Sequence, residues 1–161
     1  QGHDTVVQVV SVNKEPVAKG AAAVLAVDDS TLTWEIKRLY FVDDAPVALS
    51  RYTIPAAMVP DLDQRDLHES IMEVLAGYNL KPAFTRENIS AATARMEEQK
   101  LLQVSRSHPL LRFVRLLKDE TGRAIAYIEA SLRSDIVNVE VIMGDEPAPE
   151  PSTSRGAGEN T

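Results

Sequence analysis

The sequence predicts an α+β domain: a central antiparallel sheet of about six strands with flanking helices. Three observations lead there. Strand-like runs follow one another across short polar turns, as hairpins do, instead of alternating with helices. Apolar residues make up 44% of the chain and aromatic ones only 5%, so the core is built from Val, Leu, Ile and Ala. A length of 161 residues is enough for one domain with a real core.

The Val-rich run 5–12 reads as a strand, broken by Lys14-Glu15-Pro16. Residues 17–27 are Ala-rich and read as a short helix, weakened by Gly20. Asp28-Asp29-Ser30 makes a polar turn. Residues 31–42 alternate: Leu32, Trp34, Ile36, Arg38 and Tyr40 share one face, and Thr33, Glu35, Lys37, Leu39 and Phe41 the other. Asp43-Asp44 reads as a hairpin turn and 47–54 as the returning strand, with Pro46 tolerated at its start. Pro55 and Pro60 bracket an irregular connection.

Leu67, Ile71, Val74 and Leu75 form a helical stripe over 67–76, which Gly77 ends. Residues 84–90 read as a strand. Thr93 then caps a helix running to about Leu102, with Glu97 and Glu98 early and Lys100 late, as the helix dipole favours. Residues 110–117 and 123–133 pair across the turn Asp119-Glu120-Thr121-Gly122, and 137–142 is a last short strand. From Gly144 onward Pro, Glu, Ser, Gly and Thr dominate, and 144–161 reads as a disordered tail.

The formal net charge is -7, with no basic stripe. Direct binding to nucleic acid, which needs clustered Lys and Arg, is therefore not expected of this segment. There is no cysteine, hence no disulfide and no thiolate chemistry, which fits a reducing cytoplasm. The longest apolar runs are far too short to span a bilayer, so no membrane partner is expected. Gln1-Gly2-His3 reads as a cloning scar and 1–4 as a lead-in, leaving 5–143 as the domain and implying a piece of a longer protein.

Enzyme signatures do not stand out. There is no phosphate loop, dinucleotide fingerprint or nucleophile elbow. His3, His68 and His108 lack ligand spacing and the carboxylates are scattered, so no metal, no cofactor and no tuned acid–base pair is expected.

The order of several segments resembles the UTRA domain, the effector-binding domain of the HutC subfamily of GntR-type transcription regulators. The Ala-rich stretch after Lys14-Glu15-Pro16 is similar to the family's first short helix. Lys37-Arg38-Leu39-Tyr40 followed by Asp44-Ala45-Pro46-Val47-Ala48 resembles its hairpin, and Tyr52-Thr53-Ile54-Pro55 the exit from it. Glu69-Ser70-Ile71-Met72 and Tyr78-Asn79-Leu80 resemble a further pair of motifs. So do Pro109-Leu110-Leu111, the turn at 119–122 and Arg133-Ser134-Asp135. The resemblance runs over about residues 5–142. It implies a chorismate-lyase-like fold around a small-molecule pocket, a homodimer, and operator binding through an N-terminal winged helix-turn-helix that this chain lacks.

It also implies a site. Arg38 lies mid-strand on the face of Trp34, Ile36 and Tyr40; a guanidinium buried there requires an anion, either a ligand carboxylate or phosphate or an internal carboxylate. The family's serine corresponds to Ser70, in the first turn of the predicted helix, where it serves an anion or simply caps the helix. Other anchors of the sugar-phosphate-sensing members fall on Tyr40, Ser50, Met72, Ala126 and Leu132, which are smaller or apolar. An amino-sugar phosphate is thereby put in doubt. Ala126, Ile128, Ala130 and Leu132 line one uncharged strand face, so a small organic acid or weakly polar metabolite is the expected effector. Arg133 and Asp135 read as a structural ion pair, Arg112 and Arg115 fall on opposite strand faces with at least one toward solvent, and Arg51 opposes Ser50. The competing readings are a chorismate-lyase-like enzyme and a ligand-free dimerisation module.

Overall fold

Six strands and three short helices form in the computed structural model, which describes residues 5–135. The strands are β1 (Thr5–Pro16), β2 (Leu32–Val42), β3 (Ala45–Pro55), β4 (Phe84–Thr93), β5 (Pro109–Lys118) and β6 (Ala124–Arg133). The helices are α1 (Lys19–Leu25), α2 (Ile71–Ala76) and α3 (Met96–Leu102). The sheet runs β1-β2-β3-β6-β5-β4, every neighbouring pair antiparallel. The strand expected over 137–142 and the tail over 144–161 lie outside the described residues.

The β2–β3 turn forms where the two aspartates predict it. Asp43 and Asp44 both have positive φ, 48° and 65°, as a type I′ hairpin requires and as Asp tolerates. Gly122 at φ 85° turns the chain between β5 and β6, and Asp119 Oδ1 accepts from the Thr121 and Arg123 N–H groups there.

Three local expectations fail for physical reasons. First, Lys14-Glu15-Pro16 does not break β1, which continues to Pro16 paired with Leu32. β1 is an edge strand, and a proline there need not deprive a second neighbour of an N–H. Second, the helix predicted over 67–76 begins only at Ile71. The Leu67 and Glu69 carbonyls accept from Arg38 instead of from a helical N–H, and the first helical bond is Val74 N–H to Ser70 O. Third, Thr93 does not cap α3. It ends β4 opposite Pro109, and Arg95 takes the N-cap position, its N–H held by Glu98 Oε1.

The two faces of the sheet are covered differently. On one face the chain from 56 to 80 wraps β2, β3 and β6. Val59, Leu62, Val74 and Leu75 pack on Trp34, Ile36, Tyr52, Ile54 and Ile128, and Val59, Leu62 and Leu75 are completely shielded. Each such side chain contributes about 1.5–3 kcal/mol. On the other face α1 buries Ala21, Ala22 and Leu25 against Leu116 and Ala124, and Leu102 of α3 packs on Leu39, Leu49 and Leu110. β4, the far edge, is paired only with β5 and is exposed along almost its whole length.

Candidate functional site

Strand register sets the site. One row crosses the sheet from Arg38 on β2 to Ser50 on β3, Ala130 on β6 and Phe113 on β5. The next row carries Ile36, Tyr52, Ile128 and Arg115, and ends at Glu87 on β4. Both rows face the side covered by α2. Where α2 stops short of β5, a cleft of ≈ 270 Å³ opens. Ser50, Tyr52, Phe113, Arg115, Ile128, Ala130 and Leu132 form its floor and walls, and Ile71 of α2 overhangs it. That volume sits just under the range of about 300–1,000 Å³ usual for small-molecule sites.

Arg38 stands beside this cleft and is nearly inaccessible. Its Nη1 donates to the carbonyls of Leu67 (3.1 Å) and Glu69, and its Nη2 donates to Tyr40 OH (2.6 Å) and Tyr52 OH (2.8 Å). The two phenol oxygens also share a hydrogen bond of 2.6 Å. Both rings pack against the guanidinium, Tyr52 at 4.7 Å and Tyr40 at 5.4 Å from centroid to Cζ. Nε is buried without a partner. The charge is thus held by neutral acceptors, and among the described residues no carboxylate pairs with it. Burial, reinforced by the neighbouring Tyr52, pushes the Tyr40 phenol up to about 12 despite the arginine. Tyr40 therefore stays protonated and does not serve as the missing anion.

The other expected site residues separate. Ser50 and Leu132 line the cleft. Tyr40 sits behind it, bonded to Arg38 and Tyr52. Ser70 is the N-cap of α2, its Oγ accepting from Glu73 N–H at 3.2 Å. Met72, next to it on α2, is 48% exposed and outside the lining. Ala126 is completely buried in the core and also outside the lining. Sequence reasoning missed Tyr52, Ile71, Phe113 and Arg115 as cleft residues. Phe113 and Arg115 share a strand face with each other, but only the pairing with β6 shows which face that is.

The opposite face of the sheet carries charge of a different kind. Arg51 pairs with Glu97 at 2.9 Å, Lys37 with Glu97 at 2.9 Å, Arg95 with Glu129 at 2.6 Å and Arg112 with Glu98 at 2.6 Å. Each of these four cations has a carboxylate, and the network ties α3 to β2, β3, β5 and β6. Burial pushes the Glu98 carboxyl up, but hydrogen bonds from Ser131, the Arg95 N–H and Arg112 outweigh it and hold the group below its usual value. Arg133 and Asp135 form the expected ion pair, 3.0 Å. Among the described residues no cluster could hold a metal ion, and no helix is long and apolar enough to cross a membrane.

The family model for the UTRA domain matches residues 1–138. The chain belongs to the UTRA domain family. The HTH-type transcriptional regulator GgaR of Escherichia coli K12 is 28% identical over 127 residues, covering 78% of this chain and 50% of that protein. The chain thus spans about half the length of the curated relatives it matches. Among solved structures, the effector domain of PhnF from Mycobacterium smegmatis superposes with a TM-score of 0.80 at 21% identity, covering 89% of each chain. The C-terminal domain of the histidine utilization repressor from Pseudomonas syringae pv. tomato superposes with a TM-score of 0.78 at 17% identity, covering 88% of this chain and all of that one. The relatives are transcriptional regulators, and the UTRA architecture is the chorismate-lyase-like one that the resemblance implies.

Proposed function

We propose that this UTRA domain senses a small anionic metabolite in the cleft over β3, β5 and β6. Its occupancy would set operator binding by a DNA-binding domain outside this chain. The observation that carries the reading is the buried Arg38, a cation that no carboxylate pairs with among the described residues and whose phenol partner Tyr52 lines the cleft. A neutral acceptor shell leaves a net positive potential, and an anion bound nearby relieves it.

The same residue supplies a route for the signal. Arg38 holds the Leu67 and Glu69 carbonyls that set where α2 begins. An effector that accepts from the Tyr52 hydroxyl polarises the phenol that Arg38 bonds, and so biases the position of the 67–70 segment. Effector and operator affinities are then coupled reciprocally. The assembly that responds is a homodimer in the cytoplasm, in contact with operator DNA through a DNA-binding domain outside this chain.

Catalysis is not part of the proposal. Among the described residues, the eight that line the cleft include no carboxylate and no histidine to move a proton. Chorismate-like substrates are expected to remain unconverted.

A thermal-shift screen against organic acids, sugar phosphates, phosphonates and amino-acid breakdown products tests the reading. A binder at a hundredfold excess over its dissociation constant adds about 2.7 kcal/mol of stability. A hit whose effect disappears on filling the cleft supports it. A screen without hits favours a ligand-free dimerisation module instead.

A further inference from the structure

The cleft is lined by a cation of its own, Arg115, whose counter-ion comes from outside the cleft. Among the described residues Arg115 is the one charged residue in the lining. Its Nη2 donates to Glu87 Oε1 at 2.7 Å, and both side chains are partly open to solvent, 43% and 33%. Glu87 projects from β4, the exposed edge strand, at the end of the row Tyr52–Ile128–Arg115–Glu87. Between Arg115 and the hydroxyls of Tyr52 and Ser50 the floor is apolar, made by Ile128, Ala130 and Leu132, with Phe113 and Ile71 beside it. β3 and β5 lie two strand spacings apart, about 9.5 Å. The cleft is therefore short, cationic at one end, hydroxyl-lined at the other and greasy in between.

We infer that Arg115 is the specificity-determining cation of this cleft, and that its ligand is a carboxylic acid with an apolar body whose far end carries an oxygen for Tyr52 and Ser50. The inference rests on the cleft being the effector site. The ligand carboxylate replaces Glu87 on Arg115, forming the two parallel N–H···O bonds that a guanidinium offers a carboxylate. A single guanidinium at an apolar cleft matches a monoanion better than a phosphate dianion, which needs several converging donors. Arg38 does not contact the ligand directly. It lies behind Tyr52, and its Nη2 bond to the phenol oxygen makes the Tyr52 hydroxyl a stronger donor toward the cleft.

The test uses calorimetric titration of the chain with 3-(4-hydroxyphenyl)propionate, its primary amide, 3-phenylpropionate and inorganic phosphate. The hydroxylated acid is expected to bind, the amide at least about tenfold more weakly, since a charge-assisted bond is lost. The acid without the ring hydroxyl should bind several-fold more weakly, and phosphate should give no heat. Arg115→Gln should weaken the acid by about tenfold and leave the amide unchanged. Glu87→Gln, which removes the competitor, should tighten the acid by about 1.5- to 5-fold, the range set by an exposed ion pair. Equal affinity for acid and amide, an unaltered acid affinity in Arg115→Gln, or no binding by either acid overturns the inference. Amide chemical shifts separate the two levels of the argument. A ligand that perturbs Tyr52, Ile128 and Ala130 yet ignores Arg115→Gln leaves the effector cleft standing and removes Arg115 from it. A ligand that perturbs only residues away from the cleft removes both.

Discussion

Arg38→Met removes every donor of the buried guanidinium while keeping most of its volume. Four bonds disappear, to Leu67 O, Glu69 O, Tyr40 OH and Tyr52 OH. Their losses are unequal. The two phenols keep each other as partners, and the bond to Glu69 O is only partly buried, so water can replace the arginine there. The Leu67 carbonyl is buried with the arginine and is left without its donor. A bond from a charged donor contributes about 1.5–3 kcal/mol, and an orphaned buried acceptor costs about 1–3 kcal/mol. Against this, methionine relieves the desolvation of an unpaired cation. The balance is a net loss of roughly 2–4 kcal/mol, a fall in Tm of about 10 °C. Urea unfolding should show a lower midpoint at constant slope, because the change is in stability and not in exposed area. Hydrogen exchange should quicken over residues 67–75 and stay unchanged in α3. A loss below about 1 kcal/mol with unaltered exchange over 67–75 would refute the view that Arg38 anchors the start of α2.

Three further expectations follow from the same contacts. Glu98→Leu strands the Arg112 guanidinium and should cost roughly 3–5 kcal/mol, whereas Glu98→Leu with Arg112→Met should recover a large part of it in chemical denaturation. Tyr40 keeps its proton to about 12, above the ordinary phenol value of 10.0. The stability this gives is complete below pH 10 and is lost as pH rises through about 12, so alkaline unfolding between those values should move in Tyr40→Phe. Ala130 sits on the cleft floor, and Ala130→Phe should reduce effector binding at least about tenfold while moving Tm by only a few degrees, which titration and thermal scans would separate.

How much was legible in the sequence depends on the range of the interaction that decides each feature. The β2–β3 hairpin is local: alternation and two aspartates fix it, and both aspartates take positive φ. The start of α2 is not local. The Leu67–Ile71–Val74–Leu75 stripe is helical in spacing, and Leu67 is indeed buried, but an arginine 29 residues earlier takes the Leu67 carbonyl that a longer helix would use. Thr93 has the right chemistry for a cap, yet its pairing with Pro109 keeps it in the sheet. The apolar face of β6 could be read by parity alone. Phe113 and Arg115 could not be joined to it, because a strand's parity tells which residues share a face without telling which face looks toward the cleft. Among the described residues carbonyls and phenols hold Arg38 and no internal carboxylate does, a solution that spacing in one strand does not encode.

The most direct test of the effector cleft is hydrogen exchange of the chain with and without a ligand found in the screen. Slower exchange at 67–72 and 128–132, with α1 and β1 unchanged, is the predicted result, because the ligand packs between the cleft floor and Ile71 of α2, the helix whose start Arg38 holds. Protection confined to α1, α3 or β1, with 67–72 and 128–132 unaltered, would contradict it.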